Sequence, residues 1–303
     1  MNVAVLFLFL FAADPNAAQA LLKQGLVALQ KGNLPEAQKD LEQASQLDPR
    51  NPLVQSSLAE LYLRLNQPEK ALGAAKDAEA DGAGNPVVAR ALAIFYTNVF
   101  QYAEGLLRSQ KFSEAATVTE AALTTKPGDA QLTLTLGVAR YGQRRFDEAI
   151  TLFLETISLD PTIEQPYEFL GRVLDQAGSH MPQILKDYES WAAKNPQNAK
   201  AQMLLAKALL ASDPKSRRAK ELLQRSITLD DRDWESHYEL GVLLENEHDY
   251  TGAAQELSRA TELDPKQPMP HYHLARVYDR LGEPEKAQAE REIHQRLTAG
   301  TGQ

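Results

Sequence analysis

A small residue, glycine or alanine, returns along this chain at almost fixed intervals, at Gly25, Ala59, Ala93, Ala103, Gly137, Gly171, Ala206, Gly241 and Ala275. A second marker keeps step about twelve residues later, at Ala37, Ala71, Ala115, Ala149, Ala219, Ala253 and Ala287, with Ile184 in the one slot that lacks alanine. Both series advance by 34 or 35 residues, apart from one insertion of ten. A period of that length specifies a stacked array, because each unit is too small to bury its own apolar face and must borrow its neighbours'.

Within one period the wording also repeats. Leu240-Gly241-x-x-Leu244, Ala253-x-x-x-Leu257-x-x-Ala260 and Leu263-Asp264-Pro265 find their counterparts in Gln24-Gly25-x-x-Ala28, Ala37-x-x-x-Leu41-x-x-Ala44 and Leu47-Asp48-Pro49. This pattern resembles the tetratricopeptide repeat, whose unit is two antiparallel helices. The resemblance implies an all-α fold, a right-handed superhelical solenoid of helix-turn-helix repeats. Small residues let the first helix press against the second, and larger apolar ones fill the space between repeats. Proline after the second helix stops it and sets the turn into the next unit. Asn33, Gln67, Lys111, Arg145, Asp249 and Gly282 fall in the short links inside repeats.

Counting units gives 18–51, 52–85, 86–129 with the insertion, 130–163, 164–198, 199–233, 234–267 and 268–301, so that residues 14–303 form one solenoid. Three departures stand out. Asp231 replaces the expected proline, repeat five carries Ile184, Tyr188 and Trp191 in place of small residues, and repeat eight puts Arg291 and His294 in slots that are apolar elsewhere. The bulky residues call for a wider gap in repeat five, where Pro182 suits a helix start. Arg291 and His294 suit an end repeat with a wet outer face.

Residues 86–109 carry the first-helix signature twice, as Leu92-Ala93-x-x-Tyr96 and Tyr102-Ala103-x-x-Leu106. Ten residues at about 100° each fall roughly 80° short of alignment, so one straight helix cannot offer both signatures to the same neighbour. The absence of proline between Val87 and Ser109 favours a single long helix, weakly interrupted at Gly105. Phe95, Tyr96, Phe100 and Tyr102 then sit on a helix that overhangs the array, where they either cover the neighbouring repeats or form a binding patch.

Apolar residues make up 43% of the chain, and the net charge is −9. No basic run is present to follow a phosphate backbone, which argues against nucleic acid. Cysteine is absent, excluding disulfide and thiol chemistry. Residues 3–13, Val-Ala-Val-Leu-Phe-Leu-Phe-Leu-Phe-Ala-Ala, are too short to span a bilayer, which takes about 20 residues, but suit the core of a secretory signal. A cut at Ala13-Asp14 would release a periplasmic or secreted protein with no integral membrane segment. No Lys or Arg precedes the run. The alternatives are an apolar cap on repeat one or a misplaced start, with the chain then cytoplasmic.

The residues give no catalytic constellation. His271 and His273 are two apart, where helical metal pairs need three or four, and read as surface polar residues. Asp230, Asp231 and Asp233 lack the glycine and closing glutamate of a calcium loop. Phosphate loops, nucleophile elbows and zinc motifs are missing, so the expectation is a non-enzyme without cofactor or metal. The resemblance implies protein binding in a concave groove lined by first helices. Transferred slot by slot, the groove holds Glu60 and Arg64, Glu104 and Arg108, Tyr141, Glu168 and Arg172, Met203 and Lys207, Tyr238 and Glu245, and Tyr272 and Arg276. Aromatic and Arg anchors beside opposite charges suit protein contact. Tyr238, Tyr272 and Arg276, outside the packing slots, are the expected hot spots. The Lys and Asn clamp for a C-terminal carboxylate is unmatched, because Leu22 and Leu26 stand in its slots. Two functions follow: an interaction scaffold that holds a partner peptide or helix, or an accessory module of a particular enzyme or transport machine.

Overall fold

A computed structural model describes residues 15–299. Residues 1–14, and with them the expected signal and its cut, lie outside the described residues. Contacts divide the chain into two compact units, residues 1–149 and 150–303. Among the described residues there are sixteen α-helices and no strand.

In the first unit the pairs are α1 (Pro15–Gln30) with α2 (Leu34–Leu47), α3 (Pro52–Arg64) with α4 (Pro68–Asp81), and α5 (Pro86–Arg108) with α6 (Phe112–Thr125). Then come α7 (Ala130–Gly142) and α8 (Phe146–Leu159), within which the division falls. Asn51, Asn85 and Asp129 cap α3, α5 and α7, each side chain accepting from two of the first free amides. The turn inside each repeat is just as regular. Gln110 and Arg144 adopt φ of 57° and 61°, as do Asn66, His248 and the glycines 32 and 282 at similar angles. There the next amide bonds five residues back, as Lys111 N to Leu106 O and Arg145 N to Arg140 O do, which satisfies the last helical carbonyls. Gln110 and Arg144 hold a left-handed conformation that costs a side-chain-bearing residue about 1 kcal/mol. Gln110→Gly and Arg144→Gly should each therefore raise unfolding free energy by about 0.5–1 kcal/mol in urea titrations.

Helix α5 is continuous over 23 residues, as the missing proline implies. Ala103 is fully buried and Ala93 exposed, so the second signature holds the packing slot. Phe95 and Tyr96 are buried edge to face, Tyr96 donates to Glu79, and Tyr102 donates to Asn66. These rings do cover neighbouring helices.

The second unit contains α9 (Gln165–Gly171), α10 (Met181–Lys194), α11 (Ala199–Ser212), α12 (Arg217–Leu229), α13 (Trp234–Asn246), α14 (Tyr250–Leu263), α15 (Pro268–Leu281) and α16 (Pro284–Ala299). Helix α9 stops after seven residues and gives way to 3₁₀ turns at 174–176 and 178–180, a break the repeat pattern does not show. The amides of Arg172 and Val173 bond three residues back, tightening the chain past Gly171. Tyr188 fills the space that Leu257 takes in α14, donating 2.7 Å to the Tyr167 carbonyl, and Trp191 stacks on Tyr167 with ring centroids 4.4 Å apart. The large residues of repeat five thus fill the gap they require.

Candidate functional site

In the first unit the groove candidates are local ion pairs. Arg64 lies 2.5 Å from Glu60 and donates to the Leu29 carbonyl, Arg108 lies 3.5 Å from Glu104, and Tyr141 packs edge to face on Phe146. Same-helix pairs of this exposure contribute only about 0.3–0.5 kcal/mol each. The clamp slots hold a buried Leu22 and an exposed Leu26, neither able to grip a carboxylate.

The second unit brings more together. Lys200 of α11 reaches Glu168 of α9 at 2.9 Å, and Arg172 lies over Phe169. Lys207 inserts between two carboxylates of α13, Glu235 at 2.6 Å and Glu239 at 3.5 Å. Met203 is 1% exposed and belongs to the core instead of the groove, because the small side chains of α11 let its flexible stem turn inward.

Across α13 and α15 a tighter cluster forms. Glu245 is buried and accepts from His273 Nδ1 at 2.7 Å and from Arg276 at 3.2 Å. The His273 ring meets Tyr238 and Tyr272 edge-on, and the Arg276 guanidinium lies over the Tyr272 ring. Tyr272 remains 41% exposed and Arg276 mostly so, a planar cation and an aromatic ring held side by side at the surface. Tyr238 differs from expectation. It is half-buried between Trp234 and His273, and burial with Glu239, Glu245 and Glu235 nearby pushes its phenol well above the ordinary value. It therefore helps to join the two repeats.

The two histidines are not surface residues. His271 is buried, its Nδ1 2.6 Å from Glu290 and its Nε2 3.2 Å from the Pro265 carbonyl, while His273 points the other way, toward Glu245. In five repeats the side chain four residues before the small marker ties the first helix to the preceding turn. Gln55 donates to Pro49 O, Tyr167 to Pro161 O, Gln202 to Asn195 O and His237 to Asp231 O. His271→Ala, which orphans Glu290 and the carbonyl, should cost about 1–3 kcal/mol in thermal or urea unfolding. His271→Gln should lose much less, because Gln55 and Gln202 make the same bond.

Asp230 and Asp233 accept backbone amides at the turn and the start of α13, and among the described residues no group of His, Asp or Glu could hold a metal ion. Glu235 and Glu239 went unread in the sequence, and His273 was read only as a surface polar residue. Their signal is an ionisable residue in or beside a slot that elsewhere holds Ser57, Thr135 or Leu204.

Two family models, both described as tetratricopeptide repeat, match residues 28–94 and residues 6–37, 103–162 and 215–268. No curated protein matches the chain. Among solved structures, human IFIT1, as a dimer with PPP-AAAA, is 18% identical over 92% of this chain and 70% of its own, with a TM-score of 0.50. At that identity it shows the fold alone. MamA of Desulfovibrio magneticus RS-1, from residue 41 to its end, is 22% identical over 56% of this chain and 94% of its own, with a TM-score of 0.47. A thermophilic TPR protein of Thermus thermophilus is 22% identical over 56% and 91%, with a TM-score of 0.48.

Proposed function

The chain belongs to the tetratricopeptide-repeat family and is a protein-interaction scaffold, and from that premise we propose that it holds its partner, without catalysis, on the face shared by α13 and α15. The observation that supports this reading is the pairing of exposed Tyr272 with Arg276, fixed from beneath by Glu245 and His273. Tyr and Arg fixed in one rotamer lose little entropy on binding and are the side chains in which interface energy concentrates. The occupant this favours is a peptide or helix offering a carboxylate to Arg276 and an apolar side chain to Tyr272.

Tyr272→Ala with Arg276→Ala is the discriminating variant, since Tyr238 also serves packing. Partners crosslinked to the wild-type protein in its native host should bind the variant at least about thirtyfold more weakly, since a single hot-spot truncation alone costs about 2 kcal/mol. A variant that melts normally yet keeps every partner would reject this face. Among the described residues no helix is long and apolar enough to cross a membrane. Export is a separate proposal, supported by the apolar run at 3–13. Sequencing the native protein should find a start near Asp14, and an intact Met1 on a soluble cytoplasmic pool would reject it.

A further inference from the structure

One repeat before the Tyr272–Arg276 face, a recess opens between α11 and α13. Its volume is about 280 Å³, its apolar walls include Leu174, Leu210, Pro214 and Val242, and Lys207 and Glu239 are its charged lining. Leu174 belongs to the 3₁₀ turn into which α9 breaks, so the irregularity of repeat five supplies part of the wall. Leu210 and Val242 are half-buried and Pro214 is exposed, which leaves apolar surface open to solvent beside the two charges.

Those charges do not balance. Lys207 bonds to Glu235 at 2.6 Å and stands 3.5 Å from Glu239 Oε1, so that two carboxylates share one ammonium. Glu239, its side chain only 14% exposed, has no other hydrogen bond or ion pair among the described residues, although a carboxylate offers about four acceptor positions. Burial raises its carboxyl above the ordinary 4.5, as it does where counter-charge is short. The next junction along the array has the reverse ratio, one carboxylate, Glu245, beneath His273 and Arg276.

We propose that this recess binds a lysine side chain of a protein partner, its alkyl stem along Leu210, Pro214 and Val242 and its ammonium on Glu239. A four-carbon stem is covered by an apolar wall, and a buried carboxylate with too little counter-charge gains most from a cation. An anion drawn to Lys207 would instead meet the two carboxylates already beside it. Arginine fits less well, because its fork grips both oxygens of a carboxylate and Lys207 already approaches one of Glu239's. The site goes beyond the contact proposed for α13 and α15, and its chemistry needs neither Tyr272 nor Arg276.

The probes are tripeptides blocked at both ends, with lysine, norleucine or glutamate between two glycines, titrated into the full chain and followed by methyl NMR. The lysine peptide should shift the methyl resonances of Leu174, Leu210 and Val242. It should bind at least about tenfold more tightly than the norleucine peptide, which has the stem without the charge. In Glu239→Gln, checked by thermal melt, the two should bind alike. Equal binding of lysine and norleucine by the wild type, tighter binding of glutamate, or no shift at these methyls would overturn the proposal, and none of these outcomes needs the variant to fold. Butylammonium binding as tightly as the lysine peptide would assign the recess to a free amine and overturn it too. No probe has to reach Tyr272 or Arg276, so failure here leaves the reading of the α13 and α15 face standing, and failure of that reading leaves this result intact.

Discussion

Replacing Gly241 by leucine should unfold the α13–α14 repeat. A Cβ at this position would lie 2.6 Å from Leu257 Cγ and 3.2 Å from the Leu257 backbone nitrogen. The side chain of Leu257 could swing away, but its backbone cannot without parting the two helices. Leu257 is itself fully buried, so parting them also opens the core. Overpacking combined with lost burial amounts to at least about 3 kcal/mol. Circular dichroism during urea unfolding should show the transition moved to lower denaturant. Gly105→Ala provides the contrast, because a Cβ there meets nothing within 4 Å and the glycine sits inside α5. That change should stabilise by up to about 1 kcal/mol. Equal effects from both changes would refute the close helix approach assigned to the small-residue slot.

Lys207→Met should be the second large effect. Burial lowers the ammonium's pKa, yet Glu239 and Glu235 outweigh it and carry the value above the ordinary 10.5. Burial pushes the Glu239 carboxyl above its ordinary 4.5, against the pull of Lys207 and with help from Glu235. Removing the ammonium leaves two neighbouring carboxylates without a counter-charge, one of them buried, at a cost of about 3 kcal/mol near neutral pH. The pH dependence has a definite sign. The Lys207 contribution is present below its unfolded value and is lost only as pH rises through the still higher folded one. Glu239 holds its proton more tightly in the native state, so its effect on stability worsens as pH rises from 4.5 through its folded value. In the variant, protonating Glu239 removes the charge that needed compensation. The deficit should therefore shrink as pH falls from neutral toward the ordinary carboxylate range, as paired urea titrations would show. A deficit independent of pH would mean that the loss is one of packing alone.

The repeat, its helices and the turns between them are legible in the sequence because each is set by spacing along one dimension. A small residue one repeat on from another meets the same kind of neighbour, and Asn51 and Asn85, each before a proline, cap the helices that follow. The functional surface is less legible. The sequence places Tyr272 and Arg276 on one helix but not Glu245 beneath them, since that carboxylate arrives from the preceding repeat. Met203 and His271 sit deeper than their spacing implies for the same reason: a helix pattern says which residues share a face, and only the neighbouring helices decide how deeply each is covered.

By itself, then, the sequence determined a stack of paired helices, their turns, the long α5 and the small slots in which helices touch. Tertiary structure decided which of two equivalent signatures, Ala93 or Ala103, was buried, and that α9 would stop at Gly171 and give way to 3₁₀ turns. It also decided that Glu239 and Lys207 would share a half-dry niche. These outcomes depend on contacts between residues far apart in the chain, where side-chain volume and desolvation are settled together by neighbours that no local periodicity contains.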